Sequence, residues 1–78
     1  MANNLHADVL WTLQQGGHVI VCRMLLLKEG YQATVECDGS EIYAFSFSTA
    51  AQVIEWTTGK RRELLAEGWL ESNGQPAD

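Results

Sequence analysis

The side chains of this sequence best suited to ligate a metal or attack a substrate are His6, His18, Cys22 and Cys37. A structural zinc site takes four such ligands converging tetrahedrally, usually from closely spaced pairs. Here the cysteines lie fifteen residues apart and no CxxC element occurs. In the hairpin register read from the turns, Cys22 stands opposite Glu36 and Cys37 opposite Val21, so the thiols point to opposite sides of a sheet. His18 and Cys22 share a side, but two ligands do not make a site. The expectation is therefore a pair of buried, inert cysteines, with no metal and no cofactor. A cysteine–histidine nucleophile would need a partly exposed, thiolate-stabilising setting, and Cys22 lies in mid-run between Val21 and Arg23. The carboxylate pairs Glu36/Asp38 and Glu63/Glu67 read as a solvated strand end and a helix face. There is no serine elbow, and Gly16-Gly17 is too short to cradle phosphate. No catalytic residue is assigned, and a non-enzymatic chain is expected.

The one basic cluster is Lys60-Arg61-Arg62, with Trp56 a helical turn earlier on the side of Lys60. An aromatic ring beside cations can stack on a base while the cations meet phosphate. Against this, Glu55, Glu63 and Glu67 are interleaved, and Arg61 falls near an apolar stripe where it would snorkel or pair. The formal net charge is −5, from ten acidic residues scattered between Asp8 and Asp78. That balance disfavours a polyanionic partner. Single-stranded nucleic-acid binding through Trp56, Lys60, Arg61 and Arg62 is the alternative reading.

These residues must be positioned by a single small domain. Seventy-eight residues approach the size at which one core barely suffices, and such chains often gain stability by association. The organising stretch is His18 to Leu27, bounded by Gly16-Gly17 and Lys28-Glu29-Gly30. Ten residues including an arginine are too few to span a bilayer; the run reads as a strand with apolar side chains on both faces. Before it, Val9, Trp11 and Leu13 alternate with Leu10, Thr12 and Gln14, which predicts a first strand from Asp8. Gly16-Gly17 suits a two-residue hairpin turn, and Lys28-Glu29-Gly30 a three-residue loop ending in a bulge. The third strand is Tyr31 to Cys37, the turn after it Asp38-Gly39, and the fourth strand Ile42 to Phe47. Tyr43, Phe45 and Phe47 share one side. The period then changes: Ser48 or Thr49 can cap a helix whose stripe is Ala50, Val53, Ile54, Thr57, Arg61, Leu64, Leu65 and Gly68. Gly59, opposite that stripe, implies either an interruption or a close backbone. Residues 1–7 read as a loose lead-in, 8–71 as the domain and 72–78 as a frayed polar tail. Met1-Ala2-Asn3-Asn4 has no basic n-region and no apolar run follows, so a cytoplasmic protein with reduced thiols is expected.

The predicted fold is α+β: a four-stranded antiparallel meander, order 1-2-3-4, with one C-terminal helix packed on one sheet face (ββββα). The succession Leu10-Trp11-Thr12-Leu13, Asp38-Gly39, Tyr43, Phe47-Ser48-Thr49, Lys60-Arg61-Arg62-Glu63-Leu64 and Gly68-Trp69 resembles a group of short uncharacterised bacterial proteins. The resemblance spans roughly residues 10–70, rests on structural motifs, and carries no function across. The order of elements also resembles that of positive-cofactor and Whirly-type single-stranded-DNA binders, which are dimers. Their strands carry basic and aromatic residues, whereas Arg23 is the only cation in the strands here, so that likeness implies dimerisation more than DNA.

Association also follows from the sheet. One helix covers one face, assigned to Val9, Trp11, Leu13, Ile20, Cys22 and Met24. With Leu27 opposite Tyr31, Leu25 opposite Ala33 and Arg23 opposite Val35, the other face presents Val19, Val21, Arg23, Leu25, Leu27, Tyr31, Ala33 and Val35. A monomer rarely exposes an apolar patch of that size. A small homodimeric interaction or accessory module is the expected function, with a second copy as principal partner and another protein as a further one. Neither membrane nor nucleic acid is expected among its partners.

Overall fold

The structure, a computed structural model, describes residues 7–72. Four antiparallel strands form a meander: β1 (Ala7–Gln15), β2 (His18–Leu27), β3 (Gly30–Cys37) and β4 (Ser40–Phe47). Helix α1 (Ala50–Ala66) follows, and a two-residue strand β5 (Leu70–Glu71) returns to the sheet beside β1. The strand order is β4-β3-β2-β1-β5. The predicted ββββα architecture is thus observed, with β5 as an addition. Ala7, assigned to the lead-in, already pairs with Leu25 in β1. Residues 1–6 and 73–78, which hold His6 and most of the predicted lead-in and tail, lie outside the described residues.

The glycine turns behave as their chemistry requires. Gly16 and Gly17 have φ of 57° and 88°, and Asp38 and Gly39 have φ of 54° and 88°. Two consecutive positive φ angles match the twist of the flanking strands. The helix ends are equally local. Thr49 accepts from the Gln52 amide at 3.2 Å, and Gln52 Oε1 accepts from the Thr49 amide at 3.2 Å, a reciprocal capping box. At the other end Gly68 takes φ +102°. The Gly68 amide donates to the Leu65 carbonyl and the Trp69 amide to that of Leu64, each at 3.1 Å. This is a Schellman cap, completed by Trp69 and Leu64 packing on the same core.

Two registers differ from those expected. In β1 a bulge at Leu10 shifts the ladder: Leu13 faces Ile20 and Trp11 faces Cys22, but Val9, assigned to the same face as these, stands opposite Arg23. The extra residue brings both Leu10 and Trp11 to the core and turns Val9 to the other side, where it is 55% exposed. Between β2 and β3 the turn is Lys28-Glu29 alone, so Leu27 pairs with Gly30, Arg23 with Thr34 and Cys22 with Val35. The physical reason is the side-chain period. This register aligns Ile20, Cys22 and Met24 with Cys37, Val35 and Ala33, and leaves Gln32, Thr34 and Glu36 for the opposite face. The three-residue loop would have mixed the two sets.

Consequently the core is one-sided. Leu13, Ile20, Cys22, Ala33, Val35 and Val53 are buried. Leu10, Trp11, Cys37, Trp56, Leu64 and Trp69 pack around Ile20, Cys22 and Val35. Helix α1 lies over β3 and β4, as required of the element that covers the tryptophan side. Both cysteines are therefore on the helix side, correcting the expectation that they point apart. Tyr31, Ala33 and Val35 are likewise on that side and drop out of the open-face interface predicted for them.

Gly59 corrects both alternatives raised for it. The helix is continuous through it, and a Cβ built there meets nothing within 4 Å. Gly59→Ala is accordingly expected to stabilise the fold by about 1 kcal/mol, read as a rise in the denaturant midpoint at fixed protein concentration. A fall would mean that a neighbour occupies this space.

Candidate functional site

Two surfaces present chemistry to solvent: the end of the sheet around His18 and Asp38, and the β4 edge beneath the helix. At the first, the Asp38 carboxylate reaches from the turn after β3 to the start of β2. Its Oδ1 accepts from the Val19 amide at 2.9 Å, and its Oδ2 lies 2.7 Å from His18 Nδ1. The His18 hydrogen bond foremost, then the Val19 amide, holds the Asp38 carboxyl below its usual range. What this contributes to stability is present above the ordinary carboxylate range and fades as pH falls through the lowered folded value.

A histidine oriented by an aspartate is half of a nucleophilic triad, but the other half is missing in geometry. Among the described residues the His18 ring hydrogen-bonds to Asp38 and to neither cysteine. A general base must reach the nucleophile it deprotonates. An open hollow of about 320 Å³ lies nearby, between Gln14, Gln15, His18, Val19 and Leu70. His18 is its only titratable side chain and is engaged by Asp38.

Cys22 is fully buried, and burial pushes its thiol up to about 12. It therefore stays protonated and inert in the native state. In a thiol-reagent time course at pH 8, Cys22→Ser is expected to leave the fast-reacting fraction unchanged. Cys37→Ser removes that fraction, and unfolding exposes Cys22. Rapid modification of native Cys22 would contradict this placement. Among the described residues, no three His, Cys, Asp or Glu side chains are grouped so as to hold a metal ion. Nor is any helix among them long and apolar enough to cross a membrane.

The second surface is aromatic. Tyr43, Phe45 and Phe47 project from one side of β4 toward Trp56 on α1. Ring centroids are 6.1 Å apart for Tyr43–Phe45, 5.2 Å for Phe45–Trp56 and 6.3 Å for both Tyr43–Trp56 and Phe47–Trp56. Lys60 Nζ stands 5.0 Å from the Tyr43 ring centre and 5.8 Å from that of Trp56. Tyr43 and Phe45 remain 41% and 46% exposed.

The four residues considered for nucleic-acid contact are thus divided. Trp56 and Lys60 join the aromatic surface, although Lys60 also pairs with Glu63 at 3.1 Å. Arg61 turns away to an ion pair with Glu71 on β5. Arg62 is exposed. Tyr43 and Phe45 were not singled out from sequence; their shared side and their place on an end strand were legible, their contact with Trp56 was not.

The open face of the sheet carries Val19, Val21, Arg23, Leu25 and Leu27 from β2, as expected. They form a single apolar row rather than a broad patch. Thr12, Gln14 and the exposed Val9 flank it on β1, and Gln32, Thr34 and Glu36 on β3. Arg23 Nη1 lies 2.6 Å from Glu36 Oε1, and Thr34 is buried. A mixed face of this kind can stay in water. Comparison with protein families, characterised proteins and solved structures finds no match.

Proposed function

We propose that this chain is a homodimeric interaction module without catalytic chemistry of its own. The observation that carries the reading is the amount of large apolar side chain the fold leaves exposed. Ile42, Tyr43, Phe45 and Ile54 are each 41–49% exposed, with Val9 and Leu70 above that. In so small a domain these are groups a partner would cover. The acidic net charge and the pairing of Arg61 and Lys60 with glutamates support a protein partner over a polyanion.

Single-stranded nucleic-acid binding stays as a second reading because Tyr43, Phe45 and Trp56 offer stackable rings beside Lys60. A salt titration of oligonucleotide binding separates the two. The homodimeric module binds oligonucleotides no better than millimolar at physiological salt. A micromolar complex with a steep negative salt slope, lost on changing Lys60 and Arg62 to alanine, would establish the second reading instead.

A further inference from the structure

We infer that the second copy docks by edge-to-edge pairing of β4 with β4 about a two-fold axis through Phe45, joining two sheets into one. This rests on the homodimer reading and names its interface. β4 is the end strand of the sheet, and among the described residues no strand pairs with its outer side; at the opposite edge β5 pairs with Leu13 and Gln14 of β1. Edge strands in stable monomers are blunted by lysine, proline, bulges or inward charges; the one bulge of β4 sits near its start, at Ile42. β4, Ser40-Glu41-Ile42-Tyr43-Ala44-Phe45-Ser46-Phe47, has no lysine or proline and a single charge, and all but Phe47 are exposed. An unpaired row of backbone N–H and C=O groups is satisfied by another extended strand.

The identity of that strand follows from charge and register. Two copies of charge −5 repel, so self-contact needs a surface poor in acid. Tyr43, Phe45, Phe47 and Trp56 are uncharged, the neighbouring Lys60 is neutralised by Glu63 at 3.1 Å, and the one carboxylate of β4, Glu41, lies before the bulge and outside the regular edge. In a symmetric antiparallel pair, opposed residues share a face, so a residue must stand opposite itself. The bulge at Ile42 interrupts β4 before Tyr43, leaving Tyr43 to Phe47 as the regular edge. Centring on Phe45 uses all five residues: Phe45 meets Phe45, Ala44 meets Ser46 and Tyr43 meets Phe47. The aromatic pairs all fall on the helix side, where such pairs favour association.

The geometry of the second layer agrees. Each helix lies over β3 and β4, and strands are spaced about 4.8 Å apart. The two helices then flank the join, with the Tyr43, Phe45 and Trp56 rings of each copy beside it.

The test is the light-scattering mass of the wild type, Phe45→Lys and Val21→Glu at equal concentration, with circular dichroism confirming the fold. The expected result is a dimeric wild type, a folded monomeric Phe45→Lys and a dimeric Val21→Glu. A dimeric Phe45→Lys overturns the β4 interface, and loss of the dimer in Val21→Glu alone moves the contact to the open face with the homodimer reading intact. A monomeric wild type overturns both. Phe45→Cys gives an independent readout. Its paired sulfurs at the axis are expected to oxidise to a reducible, covalently linked dimer, whereas Val21→Cys does not. Failure of Phe45→Cys to cross-link while the protein is dimeric overturns the register.

Discussion

Gly30→Ala is expected to cost at least about 3 kcal/mol, a large part of the stability of so small a domain. Two independent effects combine there. Gly30 has φ +127°, and a Cβ at this position would lie 2.6 Å from the Phe47 carbonyl oxygen. The first effect strains the backbone of any L-residue, at about 1–3 kcal/mol. The second forces the end of β4 away from β3, because the obstacle is backbone and cannot rotate aside. Gly17→Ala separates the two: its φ is +88°, but nothing lies within 4 Å, so only the strain of about 1–2 kcal/mol applies. Denaturant titration of both variants measures the difference. Equal losses would show that β4 does not press on Gly30.

Leu13→Ala is expected to cost about 3 kcal/mol, within the range of leucine truncations in packed cores. Leu13 is wholly buried where β1 runs between Ile20 of β2 and Glu71 of β5. Val9, four residues earlier, would occupy the same face in an unbroken strand. The bulge at Leu10 places it opposite Arg23 and 55% exposed instead. Val9→Ala should therefore stay within about 0.5 kcal/mol of the wild type. A loss at Val9 comparable to that at Leu13 would mean that β1 is regular. These measurements are made at one protein concentration, since association adds to apparent stability.

Local signals were legible in the sequence and long-range ones were not. Gly16-Gly17, Asp38-Gly39 and the Thr49 cap each act through a few neighbouring atoms, and each falls where the sequence places it. The Leu10 bulge could be suspected only because Leu10 and Trp11 are adjacent apolar residues in an alternating run. Gly30 misled because a glycine after two turn residues has two uses. It serves as a bulge residue in a longer loop, or as the residue that lets a neighbouring strand come close. The pairing of the β2 and β3 side-chain sets decides between them, and β4 then comes close over Gly30. β5 is two residues long, too short for a period, and is fixed by tertiary contacts: the Ser72 amide donates to the Thr12 carbonyl at 2.9 Å, and Arg61 pairs with Glu71. For the candidate site, the sequence showed Trp56 beside Lys60 and Tyr43 beside Phe45. The predicted order 1-2-3-4 already made β4 an end strand, but the sequence could not bring the two pairs together.

The central claim is association, and the molar mass of the wild-type chain tests it most directly. Light scattering at low micromolar concentration is expected to give twice the 8.7 kDa of one chain. A mass of 8.7 kDa that does not rise with concentration would contradict the homodimer.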